Sequence, residues 1–196
     1  MDKQALILFV RNPVLGKVKT RLAATIGNEK ALAVYCHLLN QTKNITQQTG
    51  FAKYVFYSDQ VTENDLWNGY EKRLQKGLNL GERIMNAFEE LFNRNYQHVC
   101  IIGSDCIDLT APVLNEAFNS LYTNEVVIGP AADGGYYLVG MQAPLKKIFD
   151  GKLWGSASVY TETLKDIGLN NLSVHILKTL NDIDEEKDIN FHYEAI

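Results

Sequence analysis

The 196-residue chain is 46% apolar and 21% charged and carries a formal net charge of −4. This is a globular composition with enough chain for one full core, and it lacks the basic surplus expected of a protein that grips nucleic acid or an anionic membrane. No apolar run approaches the ~20 residues a membrane-spanning helix needs. Three cysteines, Cys36, Cys100 and Cys106, form no disulfide framework and fit the reduced thiols of a cytoplasmic protein.

The apolar run 5–10 predicts a first strand, buried on both faces as in a parallel sheet. It leads into Arg11-Asn12-Pro13-Val14-Leu15-Gly16-Lys17-Val18-Lys19-Thr20-Arg21-Leu22, a segment that Pro13 and Gly16 make a loop. Arg11, Lys17, Lys19 and Arg21 cluster in this loop of an acidic chain. A loop after the first strand of an α/β domain is a common phosphate site. Gly16 would let the backbone approach, and the cations would neutralise the phosphates. The spacing is not that of a Walker A loop, and a solvated basic loop is the competing reading.

A helix is predicted over 28–48, capped by Asn28 and closed by Gly50, with Tyr35, Leu38, Leu39 and Thr42 on its core face. A strand over 51–58, a short helix at 65–67 and a short strand over 72–76 follow. Residues 77–83 form a glycine-bounded loop entering a helix whose apolar stripe is Ile84, Met85, Phe88, Leu91 and Phe92. Arg83 lies in its first turn, where the helix dipole disfavours a cation. Either an anionic partner compensates or the arginine stem simply covers core.

Residues 99–102 predict the next buried strand. Gly103 ends it and exposes Asp105 and Asp108 at the carboxyl end, where open α/β sheets bind ligands. Two acids there suit a hard divalent cation carrying a phosphorylated substrate. They equally suit a turn at Asp105 and a cap at Asp108 for the helix starting near Thr110, which tolerates its early Pro112. Strands over 125–130 and 136–141 flank the turn Ala131-Ala132-Asp133-Gly134-Gly135. So short a connection predicts an antiparallel pair, hence a mixed sheet. Asp133 either faces a ligand that its glycines admit or merely turns a hairpin. A short helix over 144–149 precedes the loop 151–158, whose hydroxyls and amides open the next helix and offer a second anion site. A strand over 172–177 precedes a last helix beginning within 180–189, where Asp182 caps or reaches a metal. Strands and helices alternate without repeat or linker. This predicts one domain over 1–196, a three-layer α/β/α sandwich with a mixed, mostly parallel sheet.

Several of these blocks resemble one family. Residues 9–22 are similar to its opening signature, F-x-K/R-x-P-x-x-G-x-x-K-T-R-L, and Leu80-Gly81-Glu82-Arg83 to its second block. Residues 103–109 resemble G-S-D-C-P-D-L, residues 129–140 resemble G-P-x-x-D-G-G-Y-Y-L-I-G, and Asp182-Ile183-Asp184 resembles the final D-I-D-T. The family is the bacterial glycosyltransferase-like group formerly termed a domain of unknown function. It lies in the nucleotide-diphospho-sugar transferase (GT-A) superfamily and is similar to 2-phospho-lactate guanylyltransferases. Ile107, Gly155 and Glu185 depart from its patterns.

The resemblance implies a GT-A fold, a Mg2+ or Mn2+ cofactor and a nucleotide ligand. Asp105 and Asp108 take the place of the metal-binding acids, with Asp182 a further candidate. Arg11, Gly16, Lys19, Arg21, Arg83 and Ser104 are the candidate nucleotide and phosphate contacts. Asp105 and Asp133 are the candidate catalytic acids, and Gly134, Gly135, Trp154 and Ser156 fall on the acceptor side. The expected function is metal-dependent transfer from a nucleotide-activated donor, glycosyl transfer from a nucleotide-diphospho-sugar to a small acceptor. The alternatives are guanylyltransferase-like nucleotidyl transfer, with pyrophosphate released, and non-catalytic nucleotide binding. The superfamily's nucleotidyltransferases carry G-x-G-x-R in the first loop. Pro13 and a single Gly16 stand there instead, which favours glycosyl transfer. The expected partners are the nucleotide donor and a small-molecule acceptor, with no nucleic acid and no membrane span.

Overall fold

The computed structural model describes residues 3–193. Strand β1 (Gln4–Val10) shows why the chain folds in three layers: Leu6, Leu8 and Val10 enter one core, while Ala5 and Ile7 enter another on the opposite face. A strand apolar at both parities can be satisfied only when both faces are covered. Helices α2 (Asn28–Gln47) and α4 (Ala111–Ser120) cover the first face through Tyr35, Leu39, Leu114 and Phe118. Helices α3 (Leu80–Phe92) and α5 (Val159–Leu169) cover the second through Ile84, Phe88, Leu91 and Ile167.

The other strands are β2 (Ala52–Tyr57), β3 (Glu71–Leu74), β4 (His98–Ile102), β5 (Val126–Pro130), β6 (Tyr136–Met141) and β7 (Val174–Ile176). They form one seven-stranded sheet in the order β3-β2-β1-β4-β6-β5-β7. Strand β6 runs antiparallel to both its neighbours, and every other pairing is parallel. The expected mixed, mostly parallel sheet is therefore present. Its consequence is geometric: the carboxyl ends of β1, β4 and β5 and the amino end of β6 all reach the same edge. None of the helices is long and apolar enough to span a membrane among the described residues.

Several local expectations are corrected. A seven-residue helix, α1 (Thr20–Ile26), follows the basic loop directly. Residues 65–67 form turns rather than a helix, because the Asp65 carboxylate binds the Trp67 amide and so replaces a helical bond. The expected helix over 144–149 shrinks to a 3-10 turn at Lys146–Ile148. The last helix is likewise only a 3-10 turn, Glu186–Asp188, closed by a reciprocal Glu185–Asp188 capping box. Residues before it stay extended because Leu180 bridges to Ala131 and the Ile183 amide donates to the Asp105 carbonyl at 2.9 Å.

Candidate active site

The first wall of the site is built by a buried phenol. The Tyr35 hydroxyl, on the core face of α2, accepts from the Arg11 amide at 2.8 Å and donates to the Arg11 carbonyl at 3.2 Å. Ser104 donates to the same oxygen at 3.4 Å. One side chain thus ties the tip of β1 to the tip of β4. Burial, with the charge of Asp105 second, holds the phenol far above its ordinary pKa, so it stays a neutral link.

Lys19 sits in the left-handed region, φ 47° and ψ 43°, although it is not glycine. Such a backbone costs on the order of 1–3 kcal/mol. The compensation lies at the end of the side chain, which is 6% exposed. Its Nζ donates to the Ile183 carbonyl at 2.7 Å and pairs with Asp105 Oδ1 at 2.6 Å and Asp184 Oδ1 at 3.3 Å. Lys19 lines the cleft as the sequence predicts, but its ammonium is already engaged by protein oxygens. Arg21 also reaches Asp184, at 3.4 Å, yet remains 70% exposed and open to a ligand.

These residues bound a cavity of about 760 Å³. Arg11, Lys17, Arg21 and Arg83 lie in its wall with Ser104 and Asp105. Arg83 is steered by the start of α3: Asn79 caps the Glu82 amide at 3.0 Å, and the Arg83 Nε donates to the Gly77 carbonyl at 3.2 Å. Gly16, φ 73°, turns the loop without entering the wall.

A second cavity of about 210 Å³ shares Phe9, Leu80 and Gly103 with the first, so the two are lobes of one cleft. Asp133, Gly135, Trp154, Ser156 and Asp182 line it. Asp133 folds back so that Oδ1 accepts from the Gly135 amide at 2.9 Å. Gly134 has φ +90°, and a methyl there would fall 2.2 Å from the Ala157 carbonyl oxygen. That glycine therefore seats the chain at Ala157 and does not open the site to substrate; the Tyr160 amide donates to its carbonyl at 2.9 Å. Gly81 serves Trp154 in the same way, since a methyl on it would meet the indole at 2.9 Å.

The anion site expected at the start of α5 is not available. Ser156 and Ser158 hydroxyls lie 2.9 Å apart, Ser158 donates to the Glu162 carboxylate at 2.7 Å, and the Tyr160 amide is taken by Gly134. The helix fills its own first turn with a carboxylate.

The acids meet across the lobes. Asp182 Oδ1 is buried without a hydrogen bond. Burial first, then the charges of Asp105 and Asp133, push its carboxyl up to about 7, against the pull of Lys19. Asp105 Oδ1 also lacks a well-angled hydrogen bond, but it forms an ion pair with Lys19 at 2.6 Å. Asp108 is exposed and lines neither lobe; in its stead the structure brings Asp182 to Asp105. Among the described residues, no three His, Cys, Asp or Glu side chains converge closely enough to cage an ion alone. Two carboxyl groups within electrostatic reach of each other, one with an orphaned oxygen, suit Mg2+ or Mn2+, which favour oxygen ligands. Mg2+ in particular keeps waters and takes substrate phosphates. Cys106 is buried, and its thiol is pushed up to about 12 by burial and then by Asp182, which removes it as a nucleophile.

Sequence reasoning missed Tyr35, because a phenol on an apolar helical face looks like core. It also missed what Gly81 is for, because the clash that explains it lies across space.

Residues 41–156 match the family described as "Uncharacterized protein conserved in bacteria (DUF2064)". A protein of Desulfovibrio desulfuricans G20, provisionally assigned as a nucleotide-diphospho-sugar transferase, is similar at 33% identity. The match covers 97% of this chain and 86% of that one with a TM-score of 0.90. The inositol-1-phosphate CTP transferase from T. maritima shares the fold at 16% identity and a TM-score of 0.56, over 96% of this chain and 92% of the other. Rv0371c from Mycobacterium tuberculosis H37Rv, in a manganese complex, does so at 11% identity and a TM-score of 0.58, over 96% of this chain and 96% of the other. No curated protein matches the chain. By sequence match and by fold, the chain belongs to the bacterial DUF2064 family.

Proposed function

We propose that the protein is a transferase acting on a nucleotide-activated donor, and that the reaction is glycosyl transfer from a nucleotide-diphospho-sugar to a small acceptor. The observation that carries this reading is the larger lobe, where Arg11, Lys17, Arg21 and Arg83 line, beside Asp59, Asp105 and Asp184, a cavity of about 760 Å³ that has room for a nucleotide. An acidic chain with so local a cationic wall holds a local anion, and a diphosphate is the anion that also recruits a divalent ion.

Asp105 and Asp182 are the residues that would hold Mg2+ or Mn2+, which neutralises diphosphate charge when bound. Arg11, Arg21 and Arg83 grip the phosphate oxygens and stabilise the charge that grows as the leaving group departs. Lys19 holds Asp105 in position. Asp133, pinned by the Gly135 amide, accepts the proton of the acceptor hydroxyl. The acceptor oxygen then forms a bond to the anomeric carbon, the bond from that carbon to the β-phosphate oxygen breaks, and a nucleoside diphosphate leaves. The provisional assignment of the Desulfovibrio relative supports the sugar donor. The manganese complex of Rv0371c supports a divalent ion. The T. maritima CTP transferase keeps nucleotidyl transfer as the second reading.

The test is incubation with Mg2+ or Mn2+, a panel of nucleotide sugars and nucleoside triphosphates, and a panel of small alcohols. Nucleoside diphosphate is the expected product, and Asp105→Asn abolishes its release. Pyrophosphate release from a triphosphate would replace glycosyl by nucleotidyl transfer.

A further inference from the structure

We infer that the smaller lobe is an acceptor subsite for an uncharged, hydroxylated ring with an apolar face, and that it rejects phosphorylated or carboxylated acceptors. The word acceptor rests on the donor reading of the larger lobe; the chemistry of the lobe does not. Among the described residues no Lys, Arg or His lines it, while Asp133 and Asp182 both do. At the start of α5, the other means of holding an anion, the Tyr160 amide is taken by the Gly134 carbonyl, the Ser158 hydroxyl by Glu162 and the Ser156 hydroxyl by Ser158. In the metal-free protein an anionic group entering there would meet the Asp133 carboxylate and the Asp182 carboxyl with no basic side chain to pair with, and like-charge juxtaposition with Asp133 is strongly unfavourable.

What remains suits a neutral ring. Trp154, Tyr136 and Leu138 give flat apolar wall, and aromatic faces pack against the C–H face of a ring while its hydroxyls turn elsewhere. Asp133 stands at the wall as a hydroxyl acceptor. At about 210 Å³, the lobe has room for about seven waters at ~30 Å³ each, the bulk of a single substituted ring. Trp154 is held edge-on to Gly81 and packs against Tyr136 and Phe149, so this wall is preformed. The consequence for the reaction is direct. Nucleotidyl transfer to a phosphate acceptor needs cations where this lobe has acids, whereas glycosyl transfer to a neutral hydroxyl does not.

The probes are methyl β-D-glucopyranoside and its 6-phosphate, followed by ligand-observed NMR and by tryptophan emission. The chain has two tryptophans. Trp67 is buried in the core on the opposite face of the sheet, so an emission change reports on Trp154. The expected result is saturable binding of the neutral glucoside and binding of the phosphate that is about tenfold weaker or more, from like-charge repulsion. Asp133→Asn narrows that ratio, and Trp154→Phe removes the emission change while keeping weaker binding by NMR. Phosphate binding as tight as glucoside binding, or no saturable response to the glucoside, overturns the inference. Calorimetry with UDP, GDP and CDP in Mg2+ tests the larger lobe separately. Glucoside binding without nucleotide binding upholds this inference and overturns the donor reading.

Discussion

Asp182 is the most informative residue of the site. Its folded carboxyl titrates near 7 against an ordinary value of 3.8, so the native state favours the neutral form. The stabilisation this confers is fully present below about pH 4 and is lost as the pH rises through 7. The metal-free protein should therefore melt at lower temperature at pH 8 than at pH 5.5. Asp182→Asn should remove much of that slope and raise stability at pH 8 by on the order of 2 kcal/mol. Added Mn2+ should act in the opposite sense, because an ion replaces the proton: its stabilising effect should grow between pH 6 and pH 8, and Asp182→Asn should abolish that growth. Calorimetric melting with and without Mn2+ reads all three effects. The sequence leaves Asp182 open between a helix cap and a metal ligand, because its partner lies 77 positions earlier in the chain, at Asp105. Asp108, three residues from Asp105, was the local choice, yet the turn after Gly103 carries it to the surface.

At the scale of the element, two connections are decided by side chains that replace regular backbone bonds. The segment 59–70 is closed by Asp65, which accepts from the Tyr57 hydroxyl at 2.6 Å, Lys72 Nζ at 2.8 Å and the Trp67 amide at 2.9 Å. Burial by itself would raise this carboxyl, but the bonds from Lys72, Tyr57 and Trp67 together hold it below its ordinary value. Its contribution to stability is thus present above about pH 4 and is lost as the pH falls below that value. Asp65→Ala strands Tyr57 and Lys72, and it should cost about 2–3 kcal/mol in urea unfolding at pH 7. The second connection is the turn before β6. Gly134→Ala places a methyl on the Ala157 backbone, in a left-handed conformation. A loss of about 2–3 kcal/mol, with faster amide exchange over 154–160, is expected. Helix periodicity found α2, α3, α4 and α5 because their stripes are long. It failed at 65–67 and for the last helix expected to begin within 180–189, where Asp65 and the Glu185–Asp188 pair use their carboxylates as turn staples instead.

For the whole molecule, the decisive fact is that β6 alone is reversed in a parallel sheet. The reversal brings the turn holding Asp133 to the edge where the tips of β1 and β4 already present Arg11 and Asp105. Every basic side chain of the cleft then lies in the larger lobe, beside Asp59, Asp105 and Asp184, whereas Asp133 and Asp182 line the smaller without a cation. Arg11→Ala and Arg83→Ala should each weaken nucleoside diphosphate binding about tenfold by calorimetry, since a charge-assisted bond contributes about 1.5–3 kcal/mol. Both losses should shrink at high salt. Equal affinity in the double variant would detach the cationic wall from the ligand.

The sequence by itself determined the alternating strands and helices, the mixed sheet, the basic loop after the first strand and the acid at the tip of β4. Each is written in short-range signals: apolar periodicity, Gly and Pro punctuation, charge clustering. Tertiary structure decided which acid faces Asp105, that Lys19 is held by protein oxygens, and that the glycines beside Asp133 seat a neighbouring loop. Those outcomes depend on strand order and on the parallel bridge from Leu180 to Ala131. Through-space electrostatics and contact sterics act between residues that only the folded sheet makes neighbours.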